Sequence, residues 1–126
     1  MTFQLSQRFY FDAAHTLQRA LDTESSRRIH GHTYSADITV SGPHDPQTGM
    51  VLDLGLVRIA IEKLRHNLDH HLLDEVPGLG IPTLENLCLY ILNTIDLPRE
   101  QIHSVRVWRE GQGDSCLLLA RQQPAD

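Results

Sequence analysis

The sequence predicts an α+β domain, an antiparallel sheet packed on a layer of two helices. Two observations carry this. Apolar residues alternate in stretches near both ends of the chain, as strands with one buried face require, and two stretches between them carry apolar residues three and four apart, as helices require. Strands that come in runs, separated by a block of helices, place those helices against one face of an antiparallel sheet. At 126 residues the chain fits one domain spanning 1–126.

Residues 3–11 (FQLSQRFYF) put Phe3, Leu5, Phe9 and Phe11 on one parity and form the first strand. Residues 16–29 are polar without strand alternation and form a loop. Residues 32–41 carry Tyr34, Ala36, Ile38 and Val40 on one parity, the second strand. GPHDPQTG (42–49), with two prolines and two glycines, is a turn. A helix over 54–67 follows, capped by Asp53, with Leu54, Val57, Ile61, Leu64 and Leu68 on its inner face. Residues 74–82 form a loop. Thr83 caps a second helix over 84–95, whose inner face holds Leu84, Leu87, Cys88, Ile91, Leu92 and Ile95, and Asp96-Leu97-Pro98 stops it. Residues 103–110 and 115–121 are two further strands, and the Gly-Gln-Gly-Asp between them makes a hairpin.

The composition is that of a folded protein, 40% hydrophobic and 21% charged. A net charge of −5 without a basic stripe argues against nucleic acid, since Arg27-Arg28 is too short to be a patch. No apolar run reaches spanning length and no signal peptide is recognisable, so no membrane partner is expected. Cys88 and Cys116 sit in apolar runs, where free cysteine acts as a small hydrophobe, and a reduced, cytoplasmic setting follows.

The chemistry concentrates in histidines. In His30-Gly31-His32, positions i and i+2 of an extended chain project to one face. His15 ends the first strand; if the two strands pair, it reaches the same point. Three histidines with a fourth position open describe a catalytic zinc site. The plain alternative is a half-buried or exposed histidine at a strand end. No HExxH and no CxxC is present. Asp69-His70-His71 offers a base with an orienting carboxylate, or simply a polar helix end where imidazolium meets the dipole. Glu110, after Trp108-Arg109, is either a solvated strand end or a carboxylate that accepts two N–H groups from a purine-like or pterin-like ring.

Taken together, FDAAH (11–15), RIHGH (28–32), TGMVLDL (48–54), LDHHLLDEVPGL (68–79), PTLENL (82–87) and VWREG (107–111) resemble, in order and spacing, the 6-pyruvoyl-tetrahydropterin synthase family, including its 6-carboxy-tetrahydropterin synthase branch of queuosine biosynthesis. The resemblance covers nearly the whole chain. It implies a tunnel fold, an antiparallel sheet with two helices inserted between strand pairs, assembled as a homohexamer of two trimeric barrels. It implies Zn2+ on His15, His30 and His32, a proton relay of Asp69 and His70, Glu110 as anchor of the pterin ring, and Thr83 and Glu85 near the ring pocket. The implied substrate is 7,8-dihydroneopterin triphosphate, and the implied activity a lyase that releases triphosphate or a carbon fragment, with zinc stabilising developing negative charge.

One position departs from the family pattern. The catalytic cysteine expected four residues before the first histidine of HGH is Ser26. A thiol with a pKa of about 8.5 is readily poised as thiolate, whereas a serine hydroxyl needs an adjacent base. Three outcomes stay open: Ser26 works with His70, Glu24 substitutes as base, or the chain binds zinc and pterin with lost or altered catalysis. Arg27 is placed either to meet the triphosphate or in solvent. A non-catalytic pterin- or purine-binding assembly and an unrelated zinc hydrolase are the competing functions.

Overall fold

The first two strands are long because each finds a full-length antiparallel partner. β1 (Phe3–His15) pairs along its whole length with β2 (His30–Gly42). The computed structural model describes residues 1–17 and 28–120. Two helices follow, α1 (Leu54–Leu68) and α2 (Leu84–Thr94), and the chain returns through β3 (Ile102–Arg109) and β4 (Ser115–Leu119). The sheet order is β1-β2-β3-β4, antiparallel throughout. The expected class is therefore observed: four strands with two helices inserted between the strand pairs.

The helix starts are set by side chains that satisfy open backbone donors. Asp53 accepts from the Gly55 N–H at 2.8 Å, and Thr83 accepts from the Asn86 N–H at 3.1 Å. One face of each helix is buried, through Val57, Ala60, Ile61, Leu64 and Leu68 on α1 and Leu87, Cys88, Ile91 and Leu92 on α2. α1 lies over β1, and α2 over β3 and β4. From the sheet, Phe9 and Phe11, then Tyr34, Ala36, Ile38 and Val40, then Val105 and Val107 meet them.

The far side of the sheet is polar. Arg8 grips Asp37 through two bonds of 2.9 and 3.1 Å and stacks over Trp108, 4.7 Å from the ring centroid. Phe3, expected on the buried face, is exposed. Its ring meets the edge of His44, 5.1 Å between centroids, and lines an open pocket with Leu54 and Arg58 of α1. The expected 74–82 loop opens on a single tight turn, Leu73–Glu75, whose first residue, Leu73, is buried. Cys88 and Cys116 are free thiols, and burial pushes the Cys88 thiol up to about 12. Among the described residues, no helix is long and apolar enough to cross a membrane.

Candidate metal centre and the adjoining cavity

The β1–β2 register decides the site. His15 stands directly opposite His30, and His32 opposite Ala13, so His32 is the diagonal neighbour of His15 on the same face. The His15 Nε2 lies 3.0 Å from the His30 Nε2 and 3.1 Å from the His32 Nε2. One ligand nitrogen from each ring falls within 4.8 Å of the others. Nitrogens sharing a tetrahedral zinc at about 2.0–2.1 Å lie roughly 3.3 Å apart, so this spacing suits one ion.

The tautomers point the same way. The His15 Nδ1 is 3.0 Å from the Pro82 carbonyl and the His30 Nδ1 is 2.7 Å from the Arg28 carbonyl. A carbonyl only accepts, so both Nδ1 atoms carry hydrogen and both Nε2 atoms present lone pairs. Two lone pairs facing each other at 3.0 Å offer a ready pair of ligands to one cation. Burial pushes the His15 imidazole below its ordinary value and His32 down to about 4, with neighbouring histidines and Arg109 adding to the effect. Both rings are held neutral, the form that binds metal. Three imidazoles that meet at one end of the sheet thus fit a zinc ion.

The segment after α1 brings the second cluster alongside. Leu72 makes a parallel bridge with Ala14, and the Ala14 N–H donates to the His71 carbonyl at 3.0 Å. His70 takes a left-handed conformation (φ 60°), unusual for a residue with a Cβ. Its N–H donates to the Asp12 carbonyl at 2.7 Å, and its imidazole is 79% exposed. The Asp69 carboxylate accepts from the Asp12 N–H at 2.9 Å, lies 2.9 Å from the His70 Nδ1 and pairs with Arg65 at 3.1 Å. Chiefly the Asp12 N–H, then His70 and Arg65, hold Asp69 below the usual carboxylate range. His32, Asp12, His70 and His71 line one open depression. His70 therefore shares a depression with His32 of the histidine centre, and Asp69 stands against the His70 ring.

A second cavity, of 230 Å³, lies beside His15 and is lined by Tyr34, Thr83, Glu85 and Arg109. Thr83 and Glu85 reach it because α2 begins there and the Pro82 carbonyl holds His15. Glu110 does not reach it. Its Oε1 accepts from the Ser35 hydroxyl at 2.6 Å and the Trp108 indole N–H at 3.2 Å. Ser35 and Trp108 belong to the sheet face turned away from the helices, directly paired across β2 and β3. Strand alternation explains why Glu110, the expected ring anchor, stands outside this cavity. Val105, Val107 and Arg109 share the inward parity, and Glu110 lies one residue beyond it. Sequence reasoning passed over Tyr34 and Arg109 as site residues, although that parity was readable for both. Ser26, Arg27 and the alternative base Glu24 lie outside the described residues.

The family model for 6-pyruvoyl tetrahydropterin synthase matches residues 4–118. The human 6-pyruvoyl tetrahydrobiopterin synthase is 34% identical over 121 residues, covering 83% of each chain. The 6-carboxy-5,6,7,8-tetrahydropterin synthase of Synechocystis is 30% identical over 121 residues, covering 90% of this chain and 87% of its own. A dihydroneopterin monophosphate aldolase of Pyrococcus furiosus is 32% identical over 95 residues, covering 75% of this chain and 76% of its own. Among solved structures, the Caenorhabditis elegans 6-pyruvoyl tetrahydropterin synthase superposes with a TM-score of 0.79 at 20% identity, covering 94% of this chain and 96% of that one, a likeness of fold.

Proposed function

Because the chain belongs to the 6-pyruvoyl tetrahydropterin synthase family, we propose that it is a zinc-dependent lyase acting on 7,8-dihydroneopterin triphosphate, with a 6-carboxy- or 6-pyruvoyl-tetrahydropterin-type product. The observation that carries the reading is the meeting of the His15, His30 and His32 Nε2 atoms, two of them fixed as lone pairs by backbone carbonyls. A zinc ion held by these three rings supplies Lewis acidity, acidifying substrate hydroxyls and favouring negative charge on oxygen.

The chain's own residues supply the rest. Asp69 fixes the His70 Nδ1–H, which leaves the other ring nitrogen as a base for a proton of the substrate side chain. The Glu85 carboxylate and Thr83 hydroxyl, beside His15, suit the N–H groups and oxygen of a pterin ring. Glu110 is the ring anchor in this reading, with Thr83 and Glu85 near the ring pocket. Ser26, or Glu24, acts as the further base, and Arg27 meets the triphosphate. The exposed edges of β1 and β4, the latter with Leu117 and Leu119 outward, serve assembly into a homohexamer of barrels. The setting in this reading is cytoplasmic.

The test is incubation of zinc-loaded protein with 7,8-dihydroneopterin triphosphate, read by mass spectrometry. A new tetrahydropterin product supports the reading. Substrate left unchanged by protein with full zinc content defeats the lyase and leaves a zinc- and pterin-binding homologue, the reading that Ser26 favours. Ser26→Cys is expected to raise or redirect the activity.

A further inference from the structure

The cavity beside His15 holds a feature that a pterin ring alone does not use. Arg109 stands directly opposite Tyr34 in the β2–β3 register, and both side chains turn to the helix side of the sheet. Tyr34 is 1% exposed and stacks on Phe11, 5.0 Å between centroids. Its hydroxyl oxygen and the Arg109 Nε are the buried side-chain polar atoms without a hydrogen-bond partner among the described residues. Both orphans therefore belong to one cross-strand pair, and both residues line the same cavity as His15.

We propose that Arg109 and Tyr34 form a subsite for an anionic oxygen group, carboxylate or phosphate, of the ligand taken by the histidine centre. This rests on the reading above and sharpens its substrate class. The chemistry of the donor set requires it. An arginine Nε–H only donates, and a phenol hydroxyl donates readily. A buried donor without an acceptor is unfavourable, so two of them at one cavity call for an acceptor from outside. Asp114 pairs with the Arg109 Nη2 and leaves the Nε unpaired. Glu110, the nearest carboxylate in sequence, is held on the opposite face by Ser35 and Trp108. The guanidinium edge matches the two oxygens of a carboxylate or phosphate. Glu85, on the same cavity, takes N–H groups. The ligand that fits both is amphoteric, with N–H donors at one end and an anion within reach of the centre. The Tyr34 ring lies 6.4 Å from the His15 ring and 5.7 Å from the His32 ring, so one small molecule spans them.

The alternative is that Arg109 merely ties the 109–114 hairpin through Asp114. Titrating the zinc-loaded full chain with pterin-6-carboxylate, with unsubstituted pterin and with inorganic phosphate separates the two. Wild type is expected to bind the carboxylate at least tenfold more tightly than pterin. Arg109→Met is expected to abolish that preference. Tyr34→Phe removes only the orphan hydroxyl and keeps the fold; it is expected to weaken carboxylate binding about threefold. Phosphate that competes with the carboxylate in wild type but not in Arg109→Met assigns the subsite to phosphate; phosphate without effect, with the preference intact, assigns it to a carboxylate. Equal affinity for pterin and its carboxylate in wild type, or a preference unchanged in Arg109→Met and Tyr34→Phe, overturns the proposal while pterin binding upholds the family reading. Wild type that ignores both pterins yet binds phosphate through Arg109 upholds the subsite and defeats pterin as the ligand. Absence of binding by all three overturns the subsite.

Discussion

His15 and His30 face each other across the β1–β2 ladder with their Nε2 atoms 3.0 Å apart, each ring turned by a backbone carbonyl behind it. The fold's own backbone carbonyls therefore set the orientation of both rings.

The metal is expected to bind at one equivalent per chain and to stabilise the fold. At a free zinc concentration about 100 times the dissociation constant, the gain is about 2.7 kcal/mol, a rise of roughly 10 °C in melting temperature for a domain of this size. His30→Ala should lose the ion. Elemental analysis and thermal unfolding with and without chelator check both, and full zinc content in His30→Ala would contradict the ligand set.

The metal-free protein should weaken on acidification in a defined window. His15 and His32 have folded values below the ordinary histidine value, 6.5 falling to about 4 for His32. Between these limits the unfolded chain binds protons that the folded chain refuses, so unfolding is favoured as pH falls. Stability is thus full above pH 6.5 and declines toward pH 4. Asp69, held below the usual carboxylate range, adds a further loss only at lower pH. Urea midpoints at pH 7 and pH 5 read the first effect, and His32→Gln should flatten it.

His70 combines a left-handed backbone with an exposed ring, so its structural and chemical roles separate. His70→Gly relieves the backbone and is expected to leave stability unchanged or slightly raised. The same variant loses the base that Asp69 orients, with a fall in turnover of about 10²–10⁴. Zinc content should stay at the wild-type level. Turnover equal to wild type would remove His70 from the chemistry.

Ile91 is fully buried on α2 at the centre of the helix–sheet contact. Ile91→Ala is expected to cost about 2–5 kcal/mol, the usual range for such a truncation. Denaturant unfolding measures it. Phe3→Ser, at an exposed ring, should cost far less.

Much of this was open to reading along the chain. The strand parities at Tyr34, Ala36, Ile38 and Val40, the helix stripes, and the Asp53 and Thr83 caps are local patterns, and each reappears where expected. His30 and His32 share a face for the same reason, a two-residue repeat that every extended chain obeys. Local periodicity carries no knowledge of partners, however. That His15 meets His30 depends on which residues of β1 and β2 are paired, and a slip of one position would turn the rings apart. That His70 lies beside the centre depends on Leu72 docking on Ala14. That Arg109 enters the cavity while Glu110 leaves it depends on where β3 passes the end of the helical cover and turns. The sequence by itself determined the elements and the donor types, because these follow from neighbours a few bonds away. Register and packing between distant segments decided which donors share a point in space, because hydrogen-bonded ladders and buried faces form only when the whole chain closes on itself.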